Sequence, residues 1–247
     1  MKVLDALKFH SIKWIRMYWY NIYYRIKKWK NLRGISLPVY LKYGYSVLRF
    51  IDDGSYECEE MNIIEARLKS SDKVLELGTG IGFISAYCAK IVGNHNIHTY
   101  EANPFMEEVI REVYDKNNVD PKFEIALVGD KNGSNEFVAQ NDFLSSSQKH
   151  ARKDGKKISV PLLNLNDIIQ KYVPSYLVMD IEGNELEVFS IIDFQSIFKV
   201  QFELHPSLLK YDEIDFIFRK LADNHFVKDD ILSTNKNYYF ERKKLPS

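Results

Sequence analysis

Lys73-Val-Leu-Glu-Leu-Gly-Thr-Gly-Ile-Gly-Phe83 is the stretch that decides the fold. Val74, Leu75 and Leu77 make a short apolar run of strand length, Gly78, Gly80 and Gly82 make a turn, and Ile81 to Val92 continues at helical period. A strand, a glycine turn and a helix form a nucleotide cradle. Glycines let the backbone bend sharply and approach a ligand, and the free N–H groups of the helix start face whatever lies above the strand end. Spacing narrows the ligand: a dinucleotide fingerprint would place its last glycine at Phe83, and a P-loop would need Gly-Lys-Ser/Thr, which is absent.

Working outward, Ile97-His-Thr-Tyr-Glu101 is a second short strand ending in an acid about twenty residues after the glycines, where a carboxylate can accept from both ribose hydroxyls. Ala102, Asn103 and Pro104 follow, with Pro104 at the first position of a helix running to Asn117. Phe123 to Val128 reads as a third strand, whose end at Val128 is placed to lie beside a base. Glu136 to Ala139 reads as an extra strand. Gln140 to Lys157 is polar, basic and aperiodic, so it is either a lid or mobile. Its Ser145 and Ser146 are candidate substrate contacts. Tyr176-Leu-Val-Met-Asp-Ile-Glu-Gly-Asn-Glu185 holds a buried strand with Asp180 and Glu182 at its carboxyl end, and Val200-Gln-Phe-Glu-Leu-His205 repeats the device with Glu203 and His205. Neighbouring strands would converge these four groups above the glycine turn.

The remainder bounds the class. With 247 residues, 45% of them hydrophobic, the chain can bury one good core and carry a small appendage. Net charge is zero, but residues 1–33 hold nine Lys/Arg against one Asp, so that segment is +8 and the rest −8. Ile12, Ile15, Trp19, Ile22, Ile26 and Trp29 fall on one helical stripe among those cations. This basic aromatic amphipathic helix suits the headgroups of an anionic cytoplasmic membrane face, or packing on the chain's own domain or on a second copy as a homodimer; the cation density favours the membrane. No nucleic acid is expected. It is neither a signal peptide nor a bilayer span. Cys58 and Cys88 lack a metal motif, which fits a reducing, cytoplasmic setting. Ile35 to Tyr56 carries a hairpin signal, Glu57 to Leu68 a helix, and Asn237-Tyr-Tyr-Phe-Glu the last strand, after His225-Phe-Val-Lys.

Glu76-x-Gly78-x-Gly80-x-Gly82 resembles the motif of class I S-adenosylmethionine-dependent methyltransferases. Together with Tyr100-Glu101-Ala-Asn-Pro104, Met179-Asp-Ile-Glu-Gly-Asn-Glu185 and Phe202-Glu-Leu-His205, it is similar to the FkbM family of methyltransferases over roughly residues 36–240. Many members read Asp-x-Gly-Ala-x-x-Gly at the first motif, so Glu76 and Thr79-Gly80 are the more general form. The resemblance implies an α/β fold with a Rossmann-like sheet, mostly parallel with an antiparallel edge strand. To this the N-terminal helix and hairpin are added, giving residues 1–33 as the helix and 34–247 as the methyltransferase domain. It implies O-methylation of a hydroxyl, most often on a sugar of a glycan or polysaccharide, with a small soluble natural product as the other acceptor. In that alternative the N-terminal helix serves dimerisation or as a lid. S-adenosyl-L-methionine would contact Glu76, Gly78, Thr79, Gly80, Gly82, Phe83, Glu101, Ala102, Asn103 and Val128. Asp180, Glu182, Glu203 and His205 would be catalytic, with His205 the base and Glu185 a substrate contact. A hard divalent ion such as Mg²⁺ on Asp180, Glu182 and Glu203 is the other use of those acids.

Overall fold

The computed structural model describes residue 26 and residues 28–40, 45–139 and 156–243. The chain divides into two compact units at Tyr56/Glu57.

In the first unit, β1 (Lys28–Leu32) pairs antiparallel with β2 (Ile35–Val39), in register Leu32 to Ile35. The turn between them is Arg33-Gly34, with φ of +50° and +85°, the mirror-image geometry that matches the twist of a two-residue hairpin. A hairpin therefore exists, but it is shifted from the expected position. The expected second strand, Tyr45 onward, is instead helix α1 (Tyr45–Asp53), with Val47, Leu48 and Ile51 buried on one side. Tyr45, Val47 and Ile51 fall at even spacing, which suggests a strand, but Leu48 and Phe50 break the alternation, and burial at positions 47, 48 and 51 marks a helical face. The expected helix over 1–33 lies almost wholly outside the described residues; within them, Trp29 and Lys30 sit on β1, and a boundary at 33/34 would cut this hairpin.

The second unit is built on a seven-stranded sheet. Its elements are α2 (Cys58–Arg67), β3 (Val74–Leu77), α3 (Phe83–Val92), β4 (Ile97–Glu101), α4 (Glu107–Asn117) and β5 (Lys122–Ile125). A side sheet follows, β6 (Leu127–Gly129), β7 (Gly133–Ala139) and β8 (Lys156–Asn164). Then come α5 (Leu165–Tyr172), β9 (Tyr176–Met179), α6 (Glu185–Ile191), β10 (Lys199–Glu203), α7 (Tyr211–Asp223), β11 (Phe226–Lys228) and β12 (Asn237–Arg242). The spatial order is β11-β12-β10-β9-β3-β4-β5; β10, β9, β3, β4 and β5 are parallel, while β12 is antiparallel to β10 and to β11. The expected single strand over Phe123 to Val128 is two, because the chain leaves the main sheet after Ile125 and Leu127 begins the side sheet, order β6-β8-β7.

β3 is buried throughout, as a central parallel strand requires. Leu75 and Leu77 belong to the core that Leu165 and Ile169 of α5, Phe189 of α6 and Ile217 and Leu221 of α7 share with Met179 and Phe202. Glu76, between those two leucines, points to the opposite face, where Ser85 of α3 meets Tyr114 of α4 through a 2.8 Å bond. β4 and β9 flank β3 on opposite sides, so the strand order reverses there and opens a crevice at the carboxyl ends of β3 and β9, where doubly wound sheets take their ligands.

Candidate functional site

The glycine turn sits in that crevice. Gly78, Gly80 and Gly82 have φ of +88°, +58° and +86°. At Gly78 the requirement is double: a Cβ would stand 1.7 Å from the Asp180 carbonyl oxygen. The Gly78 N–H donates to the Tyr100 carbonyl at 2.9 Å, and the Asp180 N–H to the Leu77 carbonyl at 3.0 Å, so the turn is held between its two neighbours. Glu101 closes the other side. Its carboxylate accepts from Gly80 N–H at 3.0 Å and from Asn103 N–H at 2.8 Å. Burial pushes this group up to about 7, against those N–H bonds. Asn103 in turn caps the following turn by accepting from Phe105 N–H.

Glu76 lies beneath this cradle. It is buried and accepts from the Thr99 hydroxyl, which also pairs with Thr79. Burial pushes Glu76 up to about 8, with the Thr99 and Ser85 bonds opposing. Gly82 opens α3 against the Tyr114 ring, which a Cβ would approach to 3.0 Å.

The acids at the next strand ends gather around one imidazole. Asp180 follows β9; Glu182 and Gly183 then turn with φ of +49° and +98°. β9 and β10 are neighbours, as the sequence order requires, so His205, two residues past β10, meets this turn. Its Nε2 lies 3.3 Å from Glu182 Oε2 and 3.9 Å from Glu203 Oε1, and its Nδ1 lies 2.9 Å from Glu185 Oε1. One donor atom each from Asp180, Glu203 and His205 falls within 4.8 Å of the others. Burial pulls His205 down, but the Glu185 bond and the charges of Asp180, Glu182 and Glu185 prevail and raise it to about 9. Asp180 is held well above the carboxylate range, first by burial and then by Glu203 and Glu182; its Oδ1 is buried with no hydrogen-bond partner. Glu182 and Glu203 are raised mainly by burial, with His205 opposing.

The Methyltransferase FkbM domain matches residues 76–227, more than half of the chain, spanning the glycine turn and both acidic strand ends. The chain belongs to the FkbM family of methyltransferases. Its sheet is the class I methyltransferase sheet, and the enzyme class is S-adenosylmethionine-dependent methyl transfer. No curated protein matches the sequence. Similar solved structures include a methyltransferase from Pyrococcus furiosus, at 12% identity and TM-score 0.46, covering 94% of this chain and 98% of that one. A precorrin-6y C5,15-methyltransferase from Geobacter metallireducens matches at 12% identity and TM-score 0.47, covering 76% and 88%. TYW2 of M. jannaschii, in complex with AdoMet, matches at 13% identity and TM-score 0.45, covering 88% and 87%.

For this FkbM-family chain the expected site residues sort by position. Gly78, Gly80 and Glu101 come together at the cradle, and the set of a left-handed glycine turn beside a strand-end carboxylate fits an adenosyl ligand with two ribose hydroxyls. Ala102 is half-buried beside Glu101, and Val128 lies on β6, partly buried against the main core. Glu76, Thr79 and Phe83 are 2%, 2% and 1% exposed and support the turn from within, which corrects the expectation that they face the ligand. Asp180, Glu182, Glu203 and His205 come together as expected. Glu185 is corrected: it is fully buried, so it holds His205 and the Gly183 N–H (3.0 Å) rather than a substrate. The ion-sized cluster also differs from the expected set, with His205 in place of Glu182. Ser145 and Ser146 lie outside the described residues.

Two further groups join the site. Lys236 Nζ stands 3.9 Å from Glu203 Oε1, brought there because the Leu204 N–H donates to the Lys236 carbonyl as β12 begins. No spacing signal in the sequence marks that lysine. Glu60 on α2, an acid near a helix start, is half-buried and raised by burial, and its charge in turn helps to raise Glu203.

Proposed function

We propose that the chain is an O-methyltransferase acting on a hydroxyl of a sugar in a glycan or polysaccharide. The observation carrying this reading is His205, ringed by Asp180, Glu182 and Glu203 at the strand ends next to the cradle. A sugar hydroxyl is a poor nucleophile at neutral pH and needs a positioned base or a cation to lower its pKa. S-adenosylmethionine, when bound, supplies an electrophilic methyl group. The chain's own task is alignment and removal of the acceptor's proton. His205 Nε2 takes that proton once the imidazole is neutral, and the surrounding carboxylates stabilise the imidazolium that results. Glu182 and Glu203 also offer acceptors for sugar hydroxyls.

The donor atoms of Asp180, Glu203 and His205, within 4.8 Å of one another, favour a second reading in which these residues hold a divalent cation such as Mg²⁺ that lowers the hydroxyl pKa. Residues 1–33 are proposed to keep the enzyme at the cytoplasmic face of an anionic membrane.

The test is incubation of the full chain with S-adenosylmethionine and a panel of oligosaccharides, with mass spectrometry for a methyl ether. Asp180→Ala, Glu182→Ala and His205→Ala are each expected to lower turnover by about 10²–10⁴-fold while S-adenosylmethionine still binds. Activity should climb as pH rises toward about 9, where His205 loses its proton. Retained turnover in the His205 variant would sink the assignment. Loss of turnover on chelation, restored by Mg²⁺, would select the cation reading.

A further inference from the structure

The group that fixes His205 is buried beneath it. Glu185, the first residue of α6, is 0% exposed. Its Oε1 accepts from the backbone N–H of Gly183 at 3.0 Å and lies 2.9 Å from His205 Nδ1. A carboxylate oxygen already taking one N–H, fully withdrawn from water, can satisfy a neutral imidazole only if Nδ1 carries the hydrogen. Protonation at Nε2 instead would set two lone pairs against each other in a buried place. The turn that brings this about is specific. Glu182 and Gly183 both have positive φ, and a Cβ on Gly183 would stand 2.8 Å from Leu208 Cδ1, so the Gly183 N–H is pinned facing Glu185. Opposite, Nε2 faces the Glu182 and Glu203 carboxylates. Without Glu185 those two acids would draw the hydrogen to Nε2, leaving no lone pair toward the acceptor.

We infer that Glu185 is the positioning residue of the site: it holds His205 as the Nδ1–H tautomer and keeps the Nε2 lone pair aimed among Asp180, Glu182 and Glu203. The inference rests on the reading of His205 as the group that handles the acceptor's proton. It applies equally if Nε2 takes a cation instead, since a ligating imidazole also needs its other nitrogen held. Glu185 touches no reacting atom. Its effect passes through the ring.

The test is nitrogen NMR of the full chain with ¹⁵N-labelled histidine, at a pH where the imidazole is neutral. His205→Gln identifies the signals by their loss. In the wild type, Nδ1 should carry the protonated-nitrogen shift and Nε2 the unprotonated one. Glu185→Leu should exchange the two shifts, and Glu185→Gln, whose side-chain carbonyl can accept the same bond, should restore the wild-type pattern. Nε2–H in the wild type, or Nδ1–H retained in the Leu variant, overturns the inference. If the Leu variant does not fold, the wild-type tautomer alone decides. Titration of the same wild-type sample with S-adenosylmethionine separates the two claims: absence of binding would fail the functional reading, while the tautomer would still answer for Glu185.

Discussion

At the scale of single residues, Gly78 and Gly93 have nearly the same backbone angle and different jobs. Both have positive φ, +88° and +83°, but a Cβ at Gly93 meets nothing within 4 Å while one at Gly78 would collide with the Asp180 carbonyl. Gly93, with ψ of 151°, lies in a backbone region that essentially only glycine occupies, so Gly93→Ala should cost about 1–3 kcal/mol from backbone strain alone. Gly78→Ala should cost several-fold more and separate the cradle from the acidic loop, abolishing S-adenosylmethionine binding by calorimetry. Equal effects would mean that the contact with Asp180 does not matter. Glu76 supplies a pH dependence. Its carboxyl is raised from the ordinary 4.5 to about 8 by burial, so its favourable contribution to stability is fully present below about 4.5 and disappears as pH rises through about 8. The wild type should lose on the order of a few kcal/mol from this group across that window, at about 1.4 kcal/mol per pH unit. Glu76→Gln should flatten the slope in denaturant melts at pH 5 and pH 9; an unchanged slope would place the burden elsewhere.

Among the elements, what could be read ahead of the structure divides along physical lines. The β3 turn, the β4 acid and the paired β9 and β10 ends were legible because parallel central strands are short apolar runs and their ends must carry any chemistry. Residues 45–53 were not, since Tyr45, Val47 and Ile51 fall at even spacing and suggest a strand, while it is burial of Val47, Leu48 and Ile51 together that marks a helical face. Glu185 was expected to contact the substrate, and nothing local shows that the Glu182-Gly183 turn folds it under His205. Lys236 needed the β10–β12 register. A tie at the opposite end of the sheet was equally hidden. Lys199, at the start of β10, donates to Asp72 Oδ2 at 2.7 Å and to the Arg67 carbonyl at 2.9 Å, and Asp72 also accepts from Lys69 N–H and Ser175 Oγ. This pair fastens the end of α2 to the sheet, with both side chains under a tenth exposed. Removing one partner leaves a buried charge, so Lys199→Met should destabilise by about 3–5 kcal/mol in urea unfolding. The double variant Asp72→Asn/Lys199→Met should lose less than the sum of the single losses, and strict additivity would show that the two groups do not interact.

For the whole molecule, charge is the property that no single element carries. Residues 1–33 hold a formal +8 and residues 34–247 a formal −8, in a chain of zero net charge. Among the described residues no helix is long and apolar enough to cross a membrane. A basic segment with three tryptophans can gain about 1 kcal/mol per cation near an anionic leaflet, plus burial of its rings at the headgroups, while an acidic body is repelled from the same surface. The opposed charges would then orient the enzyme as well as hold it. Sedimentation with liposomes containing anionic lipid should carry the full chain down at low salt, release it as salt is raised past the point where the screening length falls below about 10 Å, and leave it in solution when the liposomes are neutral. A variant lacking residues 1–25, which keeps the β1–β2 hairpin whole, should stay in solution throughout and still bind S-adenosylmethionine. Sedimentation of that variant with the liposomes, or failure of the full chain to sediment, would remove the membrane role and leave the basic segment to pack on its own domain or on a second copy.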